Sequence, residues 1–427
     1  MTITGTDQTD TARIWRDRGF RTYWTGYAVS ALGDQVSALA LPLVAVVAFD
    51  ASAAEVSLLT ALLWFPQFFS LFVGTWVDQH GRQQHLLIAA DLGRCLGAAA
   101  VPTAYALGGL NLAVLYGCAI VLGSGSVLGG CSGQSFFVRL VPRTQYVEAH
   151  SLLSSTLSMA ALLGPAAGGV LIQALSPADA VAVDAATFFV SAIAISQVRT
   201  RVPAAAPSTG DASYRRRLGE GVRYLFGHRY LRASLIASTA MNLGDFTARA
   251  VLILFATRDL QMSPGRIGLA LSVGAVGGLT GALTAGRFAA LIGTGPAMVI
   301  GGGLSVVPYA ALAVLRGPTT GFVVLAGGAF VAAWAVLQFD INNNSVRATV
   351  TDDALRGRVA GAYSMINYGS RPIGALFGGF IATTIGTRAA FVVAGAFGIL
   401  SVALMVRSPM SRVRSIETVA EGESWQR

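Results

Sequence analysis

Three ionisable side chains stand near the middle of long apolar runs: Asp34, Asp245 and Arg371. In hydrocarbon such a group is costly unless it faces a water-filled cavity or a partner, so these positions point to a polar interior. An aspartate there can bind and release a proton as its surroundings change, the chemistry of a coupling carboxylate. The competing reading is an acid hydrogen-bonded between helices. Asp34 ranks first for coupling and Asp245 second, because Arg249 follows Asp245 at i+4 and would hold it ionised. Arg371 does not titrate near neutral pH; it can bind an anionic substrate or neutralise Asp34. Asp91 and Arg94, at i and i+3, read as a local structural pair. Asp340, with Asn342, Asn343 and Asn344, could line an entrance.

The elements that must position these groups follow from composition. The 427 residues have a mean hydropathy of +0.61, with 54% apolar and 12% charged residues. A soluble domain carries roughly a quarter charged residues, which excludes an ordinary soluble enzyme. At about 20 apolar residues per crossing, a dozen crossings use roughly 240 residues and leave no room for a large soluble domain. Apolar runs at 23–49, 56–77, 85–107, 112–140, 152–175 and 178–198 precede a polar stretch, and six more follow at 230–256, 267–291, 296–315, 321–346, 359–385 and 389–406. The expected fold is an all-α membrane protein of twelve transmembrane helices in two pseudo-symmetric bundles, 23–198 and 230–406. An N-terminal segment 1–22, a linker 199–229 carrying Arg215, Arg216 and Arg217, and a tail 407–427 complete the chain.

All 30 basic side chains are arginine, against 21 acids, for a net charge of +9. Twenty-three of them fall before the first run, in alternate loops, in the linker and in the tail; only Arg258, Arg266, Arg316 and Arg388 fall in the other loops. Short cytoplasmic loops hold the excess of positive charge, so both termini and the linker are expected in the cytoplasm. The arginines form no basic face with interleaved aromatics, which argues for lipid head groups as their partners and against nucleic acid. Cys95, Cys118 and Cys131 lack metal-ligand spacing and read as packing residues. His80, His85, His150 and His228 sit in loops or at helix ends, which disfavours a histidine relay. Neither a metal nor a cofactor is expected, and no phosphate-binding loop is present.

The two halves also repeat a pattern. Arg139 opens a short loop before a helix containing Gly164, Pro165, Gly168 and Gly169, and Arg347 opens another before a helix with Arg371, Pro372 and Gly374. Such repeats are the mark of transporters with a central site. Four segments resemble the major facilitator superfamily, in particular its proton-coupled drug and siderophore exporters, typified by the enterobactin exporter. They are Arg16 to Arg21 with Trp24, Gly33 and Asp34; the loop from Gly74 through Asp78 and Gly81 to Arg82; Gly164 to Gly169; and Leu355 to Val359. The resemblance implies a gate made by Gly74, Asp78, Gly81 and Arg82 against Arg356 and Arg358, and an antiporter helix at Gly164, Pro165, Gly168 and Gly169. It also implies a monomer in the bacterial cytoplasmic membrane that exports a hydrophobic or amphiphilic molecule by proton antiport. A cavity for such a ligand mixes aromatics with amides; candidates are Tyr27, Trp64, Gln67, Gln134, Asn242, Arg249, Gln338, Tyr368 and Arg371, with Phe68, Phe69, Phe246 and Trp334 nearby. A proton-symporting importer and a non-transporting receptor or scaffold are the rival readings.

Overall fold

The computed structural model describes residues 14–199, 214–352 and 355–415. Among these residues every regular element is a helix. Local chemistry sets many of the helix ends. The Asp17 carboxylate accepts from the backbone N–H groups of Gly19 and Phe20 at 2.8 and 3.2 Å and starts α1 (Arg18–Phe49). Ser52 and Glu55 cap each other reciprocally and start α2 (Ala53–His80), satisfying two otherwise orphaned amides. Pro66 interrupts α2, so that Phe65–Phe69 winds as a tighter 3-10 stretch between Trp64 and Ser70. Then follow α3 (Gln83–Ala106), α4 (Leu112–Leu140), α5 (Tyr146–Ala174) and α6 (Pro177–Ser196). The remainder are α7 (Tyr214–Gly227), α8 (Arg229–Arg258), α9 (Pro264–Ile292), α10 (Thr294–Val314, interrupted at Ser305), α11 (Pro318–Val350), α12 (Arg356–Thr384) and α13 (Thr387–Val406).

Ten of these helices are long and apolar enough to cross a membrane. The other two long ones, α8 with 30 residues and α12 with 29, carry Asn242, Asp245 and Arg249 or Asn367 and Arg371 instead. They bring charge and amides into the interior of the second half. On the outside, apolar side chains such as Leu96, Leu163, Val170, Leu283 and Val392 are exposed, as a hydrocarbon solvent demands and water would penalise.

The linker differs from the sequence expectation. Instead of a uniformly polar connection, its second part forms α7, which lies against α12: Glu220 pairs with Arg358 at 2.5 Å, the Tyr224 hydroxyl donates to the Val350 carbonyl at 3.0 Å, and Leu225 is buried. Residues 200–213 and the side chains of Arg215, Arg216 and Arg217 lie outside the described part, as do 1–13 and 416–427.

Helices α1 to α6 pack mainly on one another, and α8 to α13 do likewise; the halves meet along two seams, α5 with α9 and α2 with α12. At the first seam Gly268 touches the Pro165 carbonyl and Gly169 so closely that any side chain there would collide with backbone. The Ala166 amide donates to the Ser272 hydroxyl at 3.0 Å across the same seam. Gly164 and Gly168 face Gln35 and Val36 of α1. The glycine stripe therefore lets α5 lie close to α1 on one side and α9 on the other.

These α5–α9 contacts, an ion pair between Asp50 and Arg258, and Ser57 against Gly379 all sit at the end where α1 finishes. At the opposite end α4 and α5 make no extensive contact with α11 or α12 among the described residues, and Leu71 against Gly361 continues the α2–α12 seam alone. Among the described residues the halves are therefore joined more closely at the first end than at the second.

Candidate functional site

In the first half, Asp34, Asp91, Asp184 and Arg94 converge between α1, α3 and α6, each well inside its helix. The Arg94 guanidinium bonds to the Asp34 carboxylate, stands 4.0 Å from Asp91 and covers the Phe188 ring at 3.9 Å. Asp91 accepts from the Ser191 hydroxyl at 2.6 Å. Asp184 accepts from the Ser37 hydroxyl and, at 3.1 Å, from Thr187. Gly125 of α4 leaves the room that the Arg94 stem occupies, since a Cβ there would come within 2.9 Å of its Cδ.

The Asp34 side chain is 45% exposed although it lies mid-helix, while Asp184 is 0% exposed. One guanidinium faces three carboxylates, so the formal charge is −2 when all are ionised. In a low-dielectric surround that imbalance favours bound protons or a rearranged ion pair. The geometry corrects the reading of Asp91 and Arg94 as a self-contained pair: Arg94 reaches across to Asp34. Asp184 was missed, although an acid inside the run 178–198 is the same signal that marked Asp34.

The second half holds the opposite balance. Asp245 accepts from Arg249 Nε at 2.7 Å and from the Tyr309 hydroxyl at 3.2 Å. Arg371 Nε donates to Asn242 Oδ1 at 3.1 Å. Its guanidinium carbon lies 4.4 Å from the Trp64 ring centre, 4.3 Å from Tyr368 and 5.2 Å from Phe246. Trp64 belongs to α2, so this cluster joins the halves. Arg371 does not neutralise Asp34, which is taken by Arg94. From Asn242 a chain of hydrogen bonds runs through Asn367, Ser238 and Tyr363 to Asn343 and Ser234. Hydropathy hides this ladder, because serine and tyrosine score as near neutral.

The other expected cavity residues separate. Trp64, Asn242, Tyr368, Arg371 and Phe246 come together. Gln338 does not join them: it is fully buried, and its amide donates to the Gly281 carbonyl at 3.0 Å and Thr284 at 3.1 Å between α9 and α11. The Trp334 indole donates to the same Thr284. Tyr27 stacks on Tyr23, Gln67 lies in the 3-10 stretch of α2, and Gln134 is exposed. Of the entrance group, Asp340 is exposed whereas Asn342 and Asn343 are buried.

The gating residues are arranged within each half. Asp78 accepts from the Ser135 hydroxyl at 3.1 Å, and Arg139 donates to the Gly81 carbonyl at 3.3 Å and to Gln83 at 2.7 Å, tying the loop to α4. Gly81 adopts φ 61°, a turn that glycine accommodates without strain. Gly74 faces Cys131 of α4, and Arg82 is exposed. Arg356 donates to the Ala348 carbonyl, and Arg358 pairs with Glu220. The expected bridge from Asp78 to Arg356 or Arg358 is not formed in this arrangement, because the loops that would make it belong to halves that are less closely joined at that end.

Comparison with known proteins places this geometry. A family model described as transmembrane secretion effector matches residues 11–426. The multidrug efflux pump Tap of Mycobacterium tuberculosis is 24% identical over 380 residues, 85% of this chain and 87% of its own. Tap of Mycolicibacterium fortuitum is 26% identical over 343 residues, 76% and 79% respectively. Among solved structures, a mutant form of the nucleoside transporter NupG superposes with a TM-score of 0.74 at 13% identity, covering 91% of this chain and 99% of that one. A bacterial homologue of the iron transporter ferroportin, in an inward-facing state, gives 0.69 at 16% identity, covering 91% and 98%.

Proposed function

As the chain belongs to the transmembrane secretion effector family of the major facilitator superfamily, we propose that it exports a hydrophobic or amphiphilic small molecule in exchange for protons, as a monomer whose two halves alternate in access about a mid-membrane site. All twelve long helices cross the bilayer in this reading. The less closely joined end faces the cytoplasm, where the arginine excess lies, and both termini lie on that side. The observation that carries the proposal is the Asp34–Arg94 pair: a half-exposed carboxylate on a buried cation, with Asp91 4.0 Å from the same guanidinium and the buried Asp184 on α6 close by.

The cycle follows from charge balance. A proton on Asp34 removes its attraction for Arg94, which then turns toward Asp91 or Asp184. This shift of charge between α1, α3 and α6 biases the packing of α1 on α5 and, through the glycine seam, of α5 on α9. Loss of the proton restores the original pair. Asp245 plays a structural part, held by Arg249 and Tyr309. The loop at Asp78 closes against Arg356 and Arg358 when the cytoplasmic ends come together. One charge moved through 100 mV supplies about 2.3 kcal/mol, enough for roughly a fifty-fold concentration ratio.

The test is efflux of the uncharged dye Nile red from proteoliposomes with an imposed pH gradient, comparing the wild type with Asp34→Asn. Wild-type efflux that collapses with the gradient and is lost in the variant fits the proposal; equal efflux in both rules out Asp34 as the coupling group. Uptake driven by inward proton flow would turn the reading to an importer.

A further inference from the structure

We propose that Arg371 receives an anionic head group, a carboxylate or sulfonate, on a transported molecule whose remaining body is apolar. The inference rests on the transporter reading and names its substrate class. Arg371 is held from several sides yet makes no ion pair among the described residues. Asn242 fixes Nε, and Trp64 and Tyr368 flank the guanidinium at 4.4 and 4.3 Å. Neither terminal nitrogen donates to a protein acceptor among the described residues, and no carboxylate lies within ion-pair distance. Asp245 is occupied by Arg249 and Tyr309, Asp34 by Arg94, and Asp340 of α11 makes no ion pair with Arg371.

An unpaired cation in the middle of a membrane protein is costly. The aromatic faces offset part of that cost, and they orient the planar fork so that its free edge suits a bidentate oxyanion. Trp64 also ends the regular part of α2 just before the 3-10 stretch Phe65–Phe69, so a helix interruption lies beside the cation, as at the ligand sites of discontinuous helices. The rings of Trp64 and Phe246, 5.2 Å apart in an edge-to-face pair, give an apolar wall for the body of the ligand. A cationic head group would instead be repelled here.

Binding is tested without a gradient, on full-length protein in detergent, with three probes that share one body: 1-pyrenebutyrate, 1-pyrenebutanol and 1-pyrenebutylamine. Energy transfer from tryptophan to pyrene reads affinity. The butyrate is expected to bind about tenfold or more tightly than the alcohol, as a charge-assisted bidentate pair implies, and the amine most weakly. Arg371→Gln removes that preference while binding of the alcohol persists, and Arg371→Lys retains part of it. Equal affinity of the wild type for all three probes, or a preference that survives in Arg371→Gln, overturns the assignment even if Nile red efflux proceeds, which leaves the exporter reading standing. Competition by phosphatidylglycerol but not phosphatidylcholine in nanodiscs would move the site to a lipid and overturn the substrate role.

Discussion

The two halves share a helical plan and differ in what they carry at its centre. The first sets three aspartates around one arginine and satisfies them with serine and threonine hydroxyls; the second sets two arginines against one aspartate and surrounds them with amides, tyrosines and tryptophan. In the proposed cycle, the opposite charge imbalances of the two halves separate proton exchange from ligand binding. A carboxylate cluster short of cations is suited to exchange protons, and a guanidinium short of anions is suited to hold a ligand. In the proposed cycle, a change of charge in one half reaches the other through the α5–α9 and α2–α12 seams, where the halves pack.

The largest test of this difference removes the cation from each half in turn. Arg94→Ala strands carboxylates in a buried site and is expected to destabilise the protein by about 3–5 kcal/mol, read as a shift in unfolding by SDS titration. Adding Asp34→Asn to Arg94→Ala should recover part of the loss. Arg249→Ala should cost far less, since that side chain is 53% exposed and Tyr309 remains on Asp245. Equal losses in both halves would erase the distinction. Next in size is transport: in a dye-accumulation assay Asp34→Asn should abolish the roughly fifty-fold ratio that one charge moved through 100 mV can sustain, whereas Asp245→Asn should keep most of it. The reverse ranking would hand coupling to the second half.

A smaller effect belongs to the seam that couples the halves. Gly268→Val places a branched side chain against the Pro165 carbonyl, and overpacking of this kind costs about 1–3 kcal/mol; both unfolding and efflux rate should fall. Asp50→Ala is the mildest. Its pair with Arg258 is almost wholly exposed on the acid side, so a stability change below about 1 kcal/mol is expected. The informative readout there is distance between spin labels at the more closely joined end, which should broaden toward separation.

Much of the fold was legible because hydrocarbon permits few backbone solutions. The placement of Asp34, Asp245 and Arg371 inside their helices needed only run length and the rarity of charge in such runs. Less was legible of the site. Asp184 obeyed the same rule and was overlooked, so the signal existed. The partnership of Arg94 with Asp34 had no local signature, because the two are 60 residues apart and meet only when α3 lies beside α1. Gln338 has the composition of a cavity residue but serves as a bond between α9 and α11. The helical part of the linker was concealed by the charge density of its sequence, although it carries the buried Leu225.

Composition and charge pattern alone determined that this chain spans a membrane many times, which loops carry the positive charge, and that ionisable groups lie inside. Those properties are sums over neighbouring residues, which sequence displays directly. The packed structure decided which charge answers which: that Arg94 pairs with Asp34 beside Asp91, that Asp245 is already paired, and that Arg371, between rings from both halves, makes no ion pair among the described residues. Electrostatic partnership depends on distance in space and on the local exclusion of water, and both arise only when helices far apart in the chain are brought side by side.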